Sequence, residues 1–201
     1  MTFGETWGPM GADREVARAI YGAYRARGGN FVDTANGYQG GASETLVGEF
    51  IAEERDRVVL ATKYSLSTSP DDPNACGNHR KNMVQAVEKS LRRLATDYID
   101  LYYVHIWDFM TPAEEVLRAL DDLVRAGKVL YVGISDTPAW IVSRCNTIAE
   151  LRIGERQRRG LDPGGVRRAA RGVAAVGGLE VAAGLLLVVE AGVARRELGD
   201  P

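Results

Sequence analysis

Short continuous apolar runs alternate along the chain with longer stretches in which apolar residues return every third or fourth position. The runs are Asn30 to Asp33, Val58 to Lys63, Tyr98 to His105 and Lys128 to Ser135. Unbroken apolar runs of this length suit parallel strands covered on both faces. Helical spacing first appears after Asp13, a good N-cap, at Val16, Ala17, Ile20, Ala23 and Tyr24, and Gly28-Gly29 ends it. A second helix is expected from a Ser43 cap, with Leu46, Val47, Phe50 and Ile51 as its stripe, and a third through Val84, Val87, Leu91 and Leu94. Thr111-Pro112-Ala113-Glu114 reads as a capping box with proline at the first helical position. Val116, Leu117, Leu120, Leu123 and Val124 follow on one face, up to Gly127. Thr137-Pro138 then opens a helix bearing Trp140, Ile141, Cys145 and Ile148. Strand and helix in strict alternation predict parallel βα units.

Two stretches carry no periodicity. Met1 to Gly11 is a Gly-rich loop with Phe3 and Trp7 as its large apolar groups, and Ser65 to Asn78 is a long polar loop at the same end of the sheet as Lys63.

From Ile153 to Pro201 the vocabulary changes: aromatic residues, Ser, Thr, Lys, Asn, His, Cys and Met disappear, and nearly every residue is Gly, Ala, Arg, Val, Leu or Glu. This divides the chain into residues 1–152 and a low-complexity tail, residues 153–201, expected to be loosely helical or disordered. Its GC-rich codon alphabet favours an out-of-frame or fused origin over a helical low-complexity segment. Gly172 to Ala194 resembles a membrane span, yet it carries Glu180 and Glu190. Each central acid would cost about 2.5–3.5 kcal/mol to insert, so no membrane partner is expected.

Composition adds limits. With 201 residues, 45% hydrophobic and 26% charged, the chain fits one soluble domain, and its net charge of −2 gives no bulk attraction for nucleic acid. The arginines of the tail, with no interleaved aromatics, do not alter that expectation. Two cysteines and no basic-then-apolar leader point to a reducing, cytoplasmic setting. Cys76-Gly77-Asn78-His79 lacks the further ligands a zinc site needs, so no metal is expected.

The chemistry gathers at strand ends. Asp33, Lys63 and His105 each close an apolar run, and Tyr38 follows the first of them by one turn. Parallel βα units place such positions on one rim of the sheet. A tyrosine has an ordinary pKa of about 10, and a nearby ammonium favours its phenolate, so Lys63 is expected to bring Tyr38 toward working pH while Asp33 balances Lys63.

Val32-Asp33-Thr34-Ala35-Asn36-Gly37-Tyr38, Ala61-Thr62-Lys63, Tyr103-Val104-His105 and Val132-Gly133-Ile134-Ser135 resemble the aldo-keto reductase family in order and spacing. The resemblance covers about residues 2–152. It implies an α/β fold, a partial (β/α)8 TIM barrel of about four parallel strands, and NADPH-dependent reduction of aldehydes and ketones. Tyr38 would then donate the proton, with Lys63, Asp33 and His105 completing the catalytic group. Ser135 and Asp136, with Asp33, would meet the cofactor; asparagine is common in the family where Asp136 stands. Trp7 and Trp107 would wall the pocket of a small-molecule carbonyl substrate. The family's first hairpin and its last strands, with the loop that grips the adenosine phosphate, have no counterpart here. Weakened NADPH binding and self-association through unpaired strand edges are therefore expected. A catalytically incompetent remnant or binding scaffold of the same fold is the alternative.

Overall fold

In the computed structural model, which describes residues 2–158 and 174–176, the four apolar runs form strands β1 (Phe31–Asp33), β2 (Val59–Tyr64), β3 (Ile99–Val104) and β4 (Val129–Ser135). All pair in parallel and lie side by side in chain order. Order without reversal is the arrangement of a (β/α) barrel, whereas a doubly wound sheet reverses at a switch point. A three-residue strand β5 (Ala174–Val176), beyond the expected boundary at Ile153, adds to the edge of β4. Residues 153–158 of the compositional tail are helical, and from residue 159 on the tail, with its remaining arginines and Gly172 to Ala194 apart from β5, lies outside the described residues.

Among the described residues, helix α1 (Arg14–Ala26) precedes β1, and α2 (Ala42–Ile51), α3 (Arg80–Leu94), α4 (Ala113–Arg125) and α5 (Ala139–Arg158) each follow a strand. Because side chains alternate across a strand, Val32, Leu60, Tyr64, Tyr102, Val104, Val132 and Ile134 turn to the helices. There they join Val47, Val87, Leu120 and Ile141 in one buried cluster. The opposite face holds a smaller cluster of Ala61, Leu101 and Tyr103 with Phe31 against it, and no helix residue belongs to it. Asp33 and Lys63 share the parity of that second face, which is what brings the polar strand ends together.

Several local expectations are corrected. On α1 the expected Ala17 is buried, but its buried companion is Tyr21, while Val16 and Ile20 are about half exposed. The tyrosines settle the rotation: Tyr21 Oη donates to Glu54 Oε1 at 2.6 Å, and Tyr24 Oη donates to Phe31 O at 2.8 Å. On α3, Met83 is buried in place of Val84. Ser43 does not cap α2, whose N-cap is Gly41; its buried hydroxyl lies 2.9 Å from Thr34 Oγ1 and accepts from Phe3 N. Pro112 is the N-cap of α4, and Thr111 Oγ1 donates to Asp108 Oδ2 at 2.7 Å, so no capping box forms.

One buried and one half-buried polar network tie the helical layer to the sheet. Glu44 on α2, with no exposure, accepts from Thr62 Oγ1 of β2 at 2.6 Å and from Arg93 Nε of α3 at 2.7 Å. Arg55 donates to Asp100 Oδ2, Tyr98 O, Val58 O and Thr96 Oγ1, and its guanidinium lies 3.9 Å from the Tyr98 ring centroid. Such fully hydrogen-bonded groups fix one register where apolar contacts alone would allow slippage.

Candidate active site

The ladder between β1 and β2 continues past the end of β1: Thr34 N donates to Ala61 O at 2.9 Å and Asn36 N donates to Lys63 O at 3.0 Å. The loop after Asp33 therefore runs along β2 and delivers Tyr38 beside the end of that strand. Gln39, Gly40 and Gly41 then take three successive left-handed conformations (φ 54°, 65° and 97°) and turn the chain into α2. On the other side, His105 N donates to Tyr64 O at 2.8 Å, which seats the imidazole next to β2.

The four side chains predicted to meet do so. Lys63 Nζ makes an ion pair with Asp33 and donates to Thr34 O at 2.8 Å, so the ammonium is held by a carboxylate and a carbonyl. Lys63 Nζ also lies 5.1 Å from the Tyr38 ring centroid. The Tyr38 and His105 rings pack edge to face, with centroids 5.6 Å apart. No hydrogen bond joins the Tyr38 hydroxyl to Lys63 among the described residues; such contacts often close only around bound substrate. Tyr103 and Gly133 form the layer beneath. A Cβ on Gly133 would stand 2.4 Å from Tyr103 Cε1, so only glycine lets that ring lie flat on β4.

The electrostatics correct one expectation. Burial pushes the Tyr38 phenol above its ordinary value, and the Asp33 and Asp136 carboxylates push it further. Lys63 does not reverse this because its charge is matched by Asp33, whose own field reaches the phenol. Burial also lowers Lys63, against the opposing pull of Asp33. His105 is lowered by burial and then by Lys63, while Asp136 and Asp33 act the other way. At neutral pH the site therefore holds a protonated phenol and an uncharged imidazole, one a proton donor and the other with a single N–H to offer. His105 Nδ1 is buried with no hydrogen-bond partner among the described residues.

The remaining predicted residues divide. Ser135 is half-buried at the end of β4, and Asp136 is exposed with a left-handed φ of 38°, its carboxylate near enough to act on both Tyr38 and His105. Trp7 stands at the rim, 41% exposed, edge to face with Tyr38 at 6.0 Å. Trp107 belongs instead to the buried core, and its backbone N–H donates to Asp136 O at 3.4 Å, fastening the loop after β3 to the end of β4.

Sequence reasoning missed the loop clamp that supports His105. Asn78, fully buried, donates from N to Asp108 Oδ2 at 2.7 Å and from Nδ2 to Ile106 O at 2.8 Å, and its Oδ1 accepts from Asp108 N at 2.8 Å. Asp108 Oδ1 also accepts from Met110 N and Thr111 N, the local Asx turn that an Asp three residues before a Thr could have signalled.

A family model described as the aldo/keto reductase family matches residues 1–157. The chain belongs to that family. It is 49% identical over 158 residues to a norsolorinic acid reductase of Aspergillus flavus, covering 74% of this chain and 41% of that protein. It is 50% identical over 160 residues to a norsolorinic acid reductase of Emericella nidulans, covering 75% of this chain and 41% of that protein. With an aryl-alcohol dehydrogenase [NADP(+)] of Phanerodontia chrysosporium it shares 44% identity over 164 residues, 75% of this chain and 43% of the other. The chain thus spans about two fifths of the length of these relatives. Within the aldo/keto reductase family the fold is a (β/α)8 barrel, and strands β1 to β4 with their helices form a consecutive part of it. Among the described residues, no helix is long and apolar enough to cross a membrane.

Proposed function

We propose that this aldo/keto reductase chain carries the proton-transfer side of an NADPH-linked conversion of aromatic aldehydes or ketones to alcohols. The observation that supports the reading most strongly is the packing of Tyr38 against both Lys63 and His105 at the end of the sheet. A phenol kept protonated by burial and two carboxylates is a competent donor to a carbonyl oxygen that is gaining charge. The neutral His105 offers that oxygen a hydrogen bond, which orients the carbonyl and shares the developing negative charge. Lys63 and Asp33 hold the loop that bears Tyr38 and keep an ion pair beside the reacting oxygen.

The chemistry of the residues at the end of β4 fits the nicotinamide end of the cofactor. Ser135 has a hydroxyl to donate to a carboxamide oxygen, and Asp136 has a carboxylate to accept from its NH₂ group. NADPH, when bound, would supply the hydride to the carbonyl carbon. The aromatic substrate class is taken from the relatives named for norsolorinic acid and for aryl alcohols.

The test is consumption of NADPH with an aromatic aldehyde by the chain and by its Tyr38→Phe variant. Loss of a positioned general acid should lower the rate by roughly 10²–10⁴-fold. Equal rates in the two proteins would refute proton donation by Tyr38, and no consumption by either would leave a non-catalytic scaffold of the same fold.

A further inference from the structure

The residue that follows Tyr38 is buried and strained, its side-chain and backbone oxygens both accept hydrogen bonds, and its Nε2 has no partner among the described residues. Gln39 is 1% exposed, holds a left-handed φ of 54°, and is a polar residue with no bulk-solvent reason to be there. Its Oε1 accepts from the Trp7 backbone N–H at 2.7 Å, and its carbonyl accepts from Thr6 Oγ1 at 3.2 Å. The N-terminal loop is shaped around this side chain. A Cβ on Gly4 would lie 2.9 Å from Gln39 Cβ, and one on Gly11 would lie 2.7 Å from Gln39 Nε2. Gly4 N donates to Ala12 O at 2.7 Å, so the loop closes on itself with the glutamine inside.

What that clasp delivers is Trp7. Its indole stands edge to face with the Tyr38 ring at 6.0 Å, and Tyr38 stands in the same way to His105 at 5.6 Å. The exposed part of the indole continues the aromatic surface outward from the phenol. Left-handed backbone at a residue that is neither Gly, Asn nor Asp is costly and persists where surrounding contacts over-determine it. Here those contacts are the ones to the loop bearing Trp7.

We propose that Gln39 is a positioning residue that locks Trp7 against Tyr38, and that the indole so held selects planar aromatic carbonyl compounds over aliphatic ones. This rests on the carbonyl-reductase reading above, but its first readout does not. Gln39→Leu keeps the Cβ, and with it the backbone strain, and removes only the acceptor and donor. Gln39→Glu restores the acceptor.

The experiment is fluorine NMR of the protein labelled with fluorotryptophan, whose three tryptophans give separate resonances and whose Trp7 signal is assigned with Trp7→Phe. In Gln39→Leu the Trp7 resonance should move and broaden while those of Trp107 and Trp140 stay, and Gln39→Glu should bring it back. With NADPH, Gln39→Leu should raise KM for an aromatic aldehyde about tenfold at nearly constant kcat, and leave kcat/KM for a short aliphatic aldehyde within about twofold. An unmoved Trp7 resonance in Gln39→Leu overturns the positioning. A moved resonance in a protein that turns over neither aldehyde upholds the positioning and overturns both the selectivity and the functional reading. Should Gln39→Leu fail to fold, Trp7→Ala carries the test: an unchanged KM for the aromatic aldehyde overturns the proposal.

Discussion

Glu44 offers the sharpest stability prediction because it joins three elements from a position with no solvent contact. Its carboxylate is fully buried, and its partners are Thr62 Oγ1 at 2.6 Å and Arg93 through Nε at 2.7 Å and Nη2 at 2.5 Å. Replacing it with alanine strands a guanidinium and a hydroxyl. Breaking a buried ion pair from one side costs about 3–5 kcal/mol. The Arg93 side chain is 27% exposed, so water can reach part of it, and the lower end, about 3 kcal/mol, applies. With a urea slope of about 2 kcal/mol per molar, the unfolding midpoint should fall by about 1.5 M. Glu44→Gln keeps an acceptor but loses the charge and should fall by about half as much, since a charge-assisted hydrogen bond is roughly twice as strong as a neutral one. Circular dichroism and tryptophan fluorescence through the same urea series measure both. A Glu44→Ala midpoint within about 0.3 M of the parent would refute the claim that this network holds α2 and α3 to the sheet.

Other expectations follow from single contacts. Gly133→Ala places a methyl 2.4 Å from Tyr103 and should cost about 1–3 kcal/mol, read as a lowered thermal midpoint. Arg55→Lys cannot reproduce the fork to Asp100 and Tyr98 O or the stacking on Tyr98, and should lower the urea midpoint, whereas an unchanged midpoint would show that the fork is dispensable. Glu54 is held down to about 2, first by Arg25 and then by Tyr21, from an ordinary 4.5. Its stabilising contribution is therefore complete above about 4.5 and lost as pH falls toward 2. Thermal midpoints across that window should fall less steeply in Glu54→Gln than in the parent.

The strands were legible because their apolar runs are unbroken, and the site because its titratable residues close those runs. Residue chemistry that depends on distant partners was not legible. On α1 the helical spacing marks Val16, Ala17 and Ile20 alike, and the rotation that buries Tyr21 beside Ala17 and exposes Val16 and Ile20 is set by Glu54 and by the Phe31 backbone, neither of which the local pattern encodes. Ser43 has the residue type of a cap but spends its hydroxyl on Thr34 and Phe3. Glu44 and Arg93 are 49 residues apart in sequence, so their pairing has no local signal. The direction of the Tyr38 shift is hidden from the sequence for a related reason. The presence of Lys63 could be read from the sequence, but its neutralisation by Asp33 and the approach of Asp136 are facts of packing.

Asp33, Tyr38, Lys63 and His105 surround one point at the end of the sheet. Tyrosine labelled with carbon-13 at the ring carbon that bears the hydroxyl, assigned with Tyr38→Phe and titrated by NMR, tests it without requiring turnover. Tyr38 should titrate above its ordinary value of 10.0 in the parent and drop clearly in Asp33→Asn, where the carboxylate that opposes Lys63 is gone. A Tyr38 that titrates at the ordinary value and ignores the loss of Asp33 would contradict it.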